Sequence, residues 1–111
     1  MFTNDAKADV QSLDASIKRR LRKILGRRIA VQPEQYGTPL RGNLAGYWKH
    51  EFASHRVIYR IYPDDKLVIV CAVGARKGSQ KKDVYRQLEV LARSGRLAER
   101  VLAVLKSLQS R

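Results

Sequence analysis

The sequence predicts an α+β fold: a small twisted antiparallel sheet with two N-terminal helices packed on it and an additional C-terminal helix. Three patterns point there. Residues 1–31 place apolar side chains at helical spacing, residues 47–73 alternate or run apolar as strands do, and residues 81–109 return to helical periodicity. A length of 111 residues fits one domain spanning 1–111.

The elements follow in order. Asn4 or Asp5 can cap a first short helix, and Leu13-Asp14-Ala15-Ser16 reads as a break before a second. Leu13, Ile17, Leu21, Ile24 and Leu25 recur at helical spacing and define a stripe to be buried. Lys18, Arg19, Arg20, Arg22, Lys23, Arg27 and Arg28 cover the rest of that surface, either as a solvated face or as a contact for nucleic acid or an acidic protein. Two prolines and two glycines within residues 32–43 predict a loop. In residues 47–52, Tyr47, Lys49 and Glu51 share one face of a strand, while Trp48, His50 and Phe52 share the other.

Residues 56–62 are rich in β-formers, and the link Ala53-Ser54-His55 is short enough for a hairpin. Pro63-Asp64-Asp65 is turn chemistry, leading into an apolar run over residues 66–73 that reads as a central strand covered on both faces. The expected result is a meander with the helices packed on one side. A basic, glycine-containing loop over residues 74–82 follows. Two helical patterns split by Ser94-Gly95 end the chain, one carrying Leu88, Leu91 and Ala92, the other Leu97, Val101, Leu105 and Leu108.

The charge is lopsided. Twenty-three Lys and Arg against ten Asp and Glu leave a formal +13. Self-repulsion on that scale exceeds what solubility needs and points to a polyanionic partner. The chain lacks a lipid-binding amphipathic helix with aromatic anchors, so nucleic acid is favoured over a membrane. Cys71, the one cysteine, sits in the apolar run and reads as a buried structural thiol. Without a disulfide framework, membrane-length apolar segment or signal-peptide core, a cytoplasmic protein is expected.

His50 and His55 flank a strand turn with no Cys or paired carboxylate to join them, so neither a metal nor another cofactor is expected. The spacing of Gly74 and Gly78 is not that of a phosphate-cradling loop. What remains is a set of basic, acidic and phenolic side chains: Lys49 and Glu51 on one strand face, Arg56 across the hairpin, Arg76 at the end of the apolar strand, and Tyr85 beyond the basic loop. Taken singly, Lys49 and Arg56 are ordinary strand charges pairing with Glu51, and Tyr85 an aromatic packing a helix onto the sheet.

Residues 36–49 (YGTPLRGNLAGYWK) resemble the loop-into-strand segment of RelE/ParE superfamily toxins. Residues 55–61 (HRVIYRI) are similar to a signature strand of that family, and residues 73–79 (VGARKGS), reaching on to Tyr85, to its final strand and tail. The resemblance implies a RelE-like fold and the toxin of a type II toxin–antitoxin module. It further implies a small acidic antitoxin as partner. In the RelE type it implies a ribosome-dependent mRNA endoribonuclease needing no metal, with Lys49, Glu51, Arg56, Arg76 and Tyr85 as the catalytic set. Lys77, Lys81 and Lys82 would then hold RNA phosphates. The alternatives are a ParE-type inhibitor of DNA gyrase, which is not an enzyme, and a non-catalytic RNA-binding relic of the fold. Members open with a full edge strand, of which only Met1-Phe2-Thr3 stands here. An edge left open in this way could pair with a second copy as a homodimer when antitoxin is absent.

Overall fold

The computed structural model describes residues 1–75 and 84–109. Helices α1 (Asn4–Gln11) and α2 (Ala15–Ile24) open the chain, α2 running on through a π-helical turn at Leu25–Ile29. A short α3 (Pro33–Tyr36) and a two-residue β1 (Thr38–Pro39) lead to β2 (Tyr47–Phe52), β3 (His55–Tyr62) and β4 (Leu67–Ala75). Helices α4 (Val84–Arg93) and α5 (Arg96–Gln109) follow. The four strands form one antiparallel sheet in chain order. No helix among the described residues is long and apolar enough to cross a membrane.

The α+β arrangement matches the expectation, with one correction: helices cover both faces of the sheet. Phe52, Val57, Tyr59, Val70 and Val73 pack with Ala6, Leu21, Ile24 and Ile29 of the N-terminal helices. Tyr47, Ile58, Ile69, Cys71 and Ala72 pack with Leu88 of α4 and with Leu97 and Val101 of α5. Two apolar faces need two covers, which is why β4 reads as continuous hydrophobe rather than as an alternation.

A bulge adjusts the alternation in β4. The partners of Ile58 and Tyr59 are Ala72 and Val70, so Cys71 is the extra residue. Cys71 and Ala72 thereby face the same core, and beyond them the register resumes with Val57 opposite Val73 and Arg56 opposite Gly74. A one-residue slip would exchange the two faces of the strand, so the bulge decides what lies beside Arg56.

The helix cap falls one residue earlier than expected. Thr3, rather than Asn4 or Asp5, caps α1: its Oγ1 accepts the Ala6 N–H at 3.1 Å and donates to the Cys71 carbonyl at 3.2 Å. Met1–Thr3 also pair in parallel with β4 through the Phe2–Val70 bridge, with Val70 N–H donating to Met1 O at 2.8 Å and Thr3 N–H to Val70 O at 3.0 Å. The three residues thus do work as a minimal edge strand, and β4 lies inside the sheet. Further along the same edge the Asp9 carboxylate accepts the Val73 N–H at 3.0 Å. Burial pushes the Asp9 carboxyl above its ordinary range, against the opposing pull of that hydrogen bond.

Residues 32–43 hold more structure than a loop. Pro33 opens α3 at a helix position that needs no N–H donor, and β1 extends the sheet against Trp48 and Lys49. Tyr59, wholly buried, donates its hydroxyl to Pro33 O at 2.7 Å and so ties this segment to the sheet. Gly37 sits against that hydroxyl, where a Cβ would overlap it.

Two outcomes follow for stability and reactivity. Gly37→Ala should cost about 1–3 kcal/mol in urea unfolding, and less in a Tyr59→Phe background, where the obstructing oxygen is gone; equal costs in both would place the strain elsewhere. Burial pushes the Cys71 thiol up to about 12. At pH 8 the folded protein should therefore hold roughly 10⁻⁴ of its thiol as thiolate and resist a disulfide reagent that reacts readily after denaturation. Fast labelling of the folded chain would contradict this.

Candidate functional site

The site is built from the β2–β3 hairpin. Lys49 and Glu51 are two residues apart on one strand and share a face, the one that α4 and α5 cover at its other end through Tyr47, Ile58 and Ile69. Arg56 is the register partner of Glu51, and Gly74 the next residue across, so Glu51, Arg56 and Gly74 form one row over three strands. A two-residue turn, Ala53-Ser54, closes the hairpin, with Phe52 opposite His55 and Ala53 in the left-handed region at φ 49°. The local cost of a non-glycine residue there is about 1–2 kcal/mol. The compensation is a fixed register for the row above it.

The three charges converge. Glu51 Oε1 lies 3.3 Å from Lys49 Nζ and 3.3 Å from Arg56 Nε. The Arg56 side chain is the most enclosed, at 16% exposure against 29% for Lys49 and 33% for Glu51. A carboxylate between two cations, a third open to solvent at the end of a sheet, can take up a proton while the cations meet a phosphate. Gly74 beside Arg56 carries no side chain to obstruct the approach.

Arg76, Lys77, Lys81 and Lys82 lie outside the described residues. Tyr85 contributes backbone to α4, and its side chain too lies outside the description. The two histidines are apart: His55 stacks on Phe52 with centroids 5.8 Å from each other, while His50 Nδ1 is 2.7 Å from the Tyr36 carbonyl. Since a carbonyl only accepts, Nδ1 carries the proton. Among the described residues no three His, Cys, Asp or Glu side chains group to hold a metal ion.

A second set of residues lies next to this cluster, drawn from the basic run that the sequence left open between a solvated face and a contact for nucleic acid or an acidic protein. Arg20, Lys23 and Arg28 line a groove of about 400 Å³ with His50, Glu51 and Phe52. The Arg28 guanidinium lies 5.7 Å from the Tyr36 ring centroid. The basic run on α2 was visible in the sequence; that it faces the edge of β2 beside Glu51 depends on helix docking, which no local pattern encodes.

A family model described as the ParE toxin of the type II toxin–antitoxin system parDE matches residues 1–79. No curated protein matches by sequence. Among solved structures, a chain of the toxin–antitoxin complex RelBE2 from Mycobacterium tuberculosis is 28% identical, with a TM-score of 0.66, covering 68% of this chain and 94% of that one. The YoeB/ParE toxin from Agrobacterium tumefaciens is 24% identical at a TM-score of 0.58, covering 69% and 96%. The isolated E. coli RelE toxin is 23% identical at 0.59, covering 78% and 89%. These last two show likeness of fold. Helices α4 and α5 lie beyond the part that the family model matches.

Because all three charges keep contact with solvent, the ion pairs contribute little to stability. Glu51→Gln should change the unfolding free energy by less than about 1 kcal/mol. A loss of several kcal/mol would make Glu51 a structural residue and weaken any chemical role for it.

Proposed function

The chain belongs to the ParE toxin family of type II toxin–antitoxin systems, within the RelE/ParE superfamily, and we propose that it acts as a ribosome-dependent mRNA endoribonuclease. The observation that carries this reading is the cluster of Lys49, Glu51 and Arg56, a carboxylate flanked by two cations at 3.3 Å on an accessible end of the sheet.

Cleavage needs three things: a base for the RNA 2′-hydroxyl, positive charge on the phosphorane oxygens, and an acid for the leaving group. Glu51 takes the 2′-hydroxyl proton. The 2′-oxygen bonds to the adjacent phosphorus and the bond to the 5′-oxygen of the next nucleotide breaks. Lys49 stabilises charge and supplies the proton to that departing oxygen, leaving a 2′,3′-cyclic phosphate and a 5′-hydroxyl. Arg56 and Arg76 clamp the phosphate oxygens, for which the planar guanidinium fork is suited. Tyr85 stacks on or orients a base, and Lys77, Lys81 and Lys82 hold neighbouring phosphates. These steps are carried by side chains, with no cofactor. The ribosome contributes by holding the strand in line. A small acidic antitoxin is the expected inhibitor, as the RelB–RelE complexes among the similar structures suggest; its charge would complement a chain with a formal net charge of +13.

The family model is described as a ParE toxin, and the second reading is a ParE-type inhibitor of DNA gyrase, which is not an enzyme. Mapping mRNA 3′ ends in a purified translation system separates the two. Cuts within A-site codons that require translation, fade with Arg76→Ala and slow about 10²-fold or more with Glu51→Gln support the nuclease. Intact message together with inhibition of gyrase supercoiling by the same preparation would establish the second reading instead.

A further inference from the structure

Apart from Glu51, the residues that line the groove between α2 and β2 have no part in the chemistry above. Arg20 and Lys23, three residues apart and so on one helix face, form one wall with Arg28. His50 and Glu51 form the other, over a floor that includes Phe52. We propose that this groove binds a phosphodiester of single-stranded RNA adjoining the scissile one, so that the strand runs along α2 before it reaches Glu51. The inference rests on the nuclease reading and adds to it where the rest of the substrate lies.

Three observations support it. Glu51 is common to the lining of the groove and to the Lys49–Arg56 cluster, so the two meet at one residue of β2, the groove on the α2 side and the charges on the opposite face. The groove is also short of negative charge. The one acidic residue of its lining, Glu51, turns its carboxylate to Lys49 and Arg56, and no carboxylate among the described residues pairs with Arg20, Lys23 or Arg28. Residues 15–29 hold seven Lys and Arg and no acid, and an anion would relieve their mutual repulsion. Finally, the walls are held in place. Arg28 lies over Tyr36, and the Tyr36 carbonyl accepts from His50. β1 pairs no further along β2 than Lys49, which leaves the edge at His50 and Glu51 uncovered by a strand. A cleft of about 400 Å³ is within the range of small-molecule sites.

The test uses a labelled 2′-O-methyl single-stranded RNA, which binds but lacks the attacking hydroxyl. Arg20→Gln/Lys23→Gln is compared with Arg93→Gln/Lys106→Gln, which removes equal charge from exposed positions on α4 and α5. Loss of the one phosphate held in the groove should reduce the slope of log affinity against log salt by ~0.7. Affinity should fall about tenfold, with the control pair unchanged. An equal effect of both pairs would reduce the groove to net charge and overturn the proposal, as would no effect of either, or wild-type binding without salt dependence. The nuclease reading is judged separately by cleavage on ribosomes. A groove-dependent slope in a protein that cuts nothing retires the nuclease and keeps an RNA site, whereas cutting with an unchanged slope retires the groove alone.

Discussion

Sealing β4 is the constraint on which the rest of the structure depends. Its side chains face two cores, one under the N-terminal helices and one under α4 and α5. One edge pairs with β3, and the other would expose backbone groups whose burial without partners costs about 1–3 kcal/mol each. Met1, Thr3 and Asp9 satisfy that edge at Val70, Cys71 and Val73. Arg100 of α5 reaches Asp5 of α1 at 2.9 Å, so the covers of the two faces meet around it. A strand enclosed on all sides gives the neighbouring β3 a fixed register, and that register sets Arg56 opposite Glu51.

Much of this could be read in advance. Period-two alternation put Lys49 and Glu51 on one face, and a short link between two β-rich runs put Arg56 across from them. The apolar run at residues 67–73 announced a strand with two covers. Other features depend on contacts between distant residues. Nothing local distinguishes Thr3 from Asn4 or Asp5 as a cap, and the choice is made by the Cys71 carbonyl, which Thr3 can reach. The bulge at Cys71 follows from matching β4 to β3. Residues 32–43 looked like a loop because prolines and glycines punctuate them, yet Pro33 and Gly37 are the positions that let the chain pack against Tyr59. Of the site, the hairpin charges were legible; the groove beside them was not, since it forms only when α2 docks on the sheet.

The sheet face carrying Glu51 is divided between a packed end and a charged, open end. At one end Tyr47 and Ile69 lie under the C-terminal helices. Arg60 is drawn into that packing, its guanidinium 5.3 Å from the Tyr47 ring centroid and 5.5 Å from that of Tyr62. At the other end the three charges stand beside the hairpin turn. Cations are thus used in two ways: Arg60 is held by aromatic faces in a partly buried setting, whereas Lys49 and Arg56 keep a carboxylate and some contact with water.

The pairing of Met1–Thr3 with Val70 has a consequence for biosynthesis. These contacts join residues nearly seventy positions apart, and the second core needs Leu88, Leu97 and Val101 as well. Such long-range closure is slow, and it cannot begin until most of the chain has been made. While the polypeptide is still being translated it has no assembled β4 and hence no fixed row of charges. For that interval the nascent chain presents no assembled sheet to any partner.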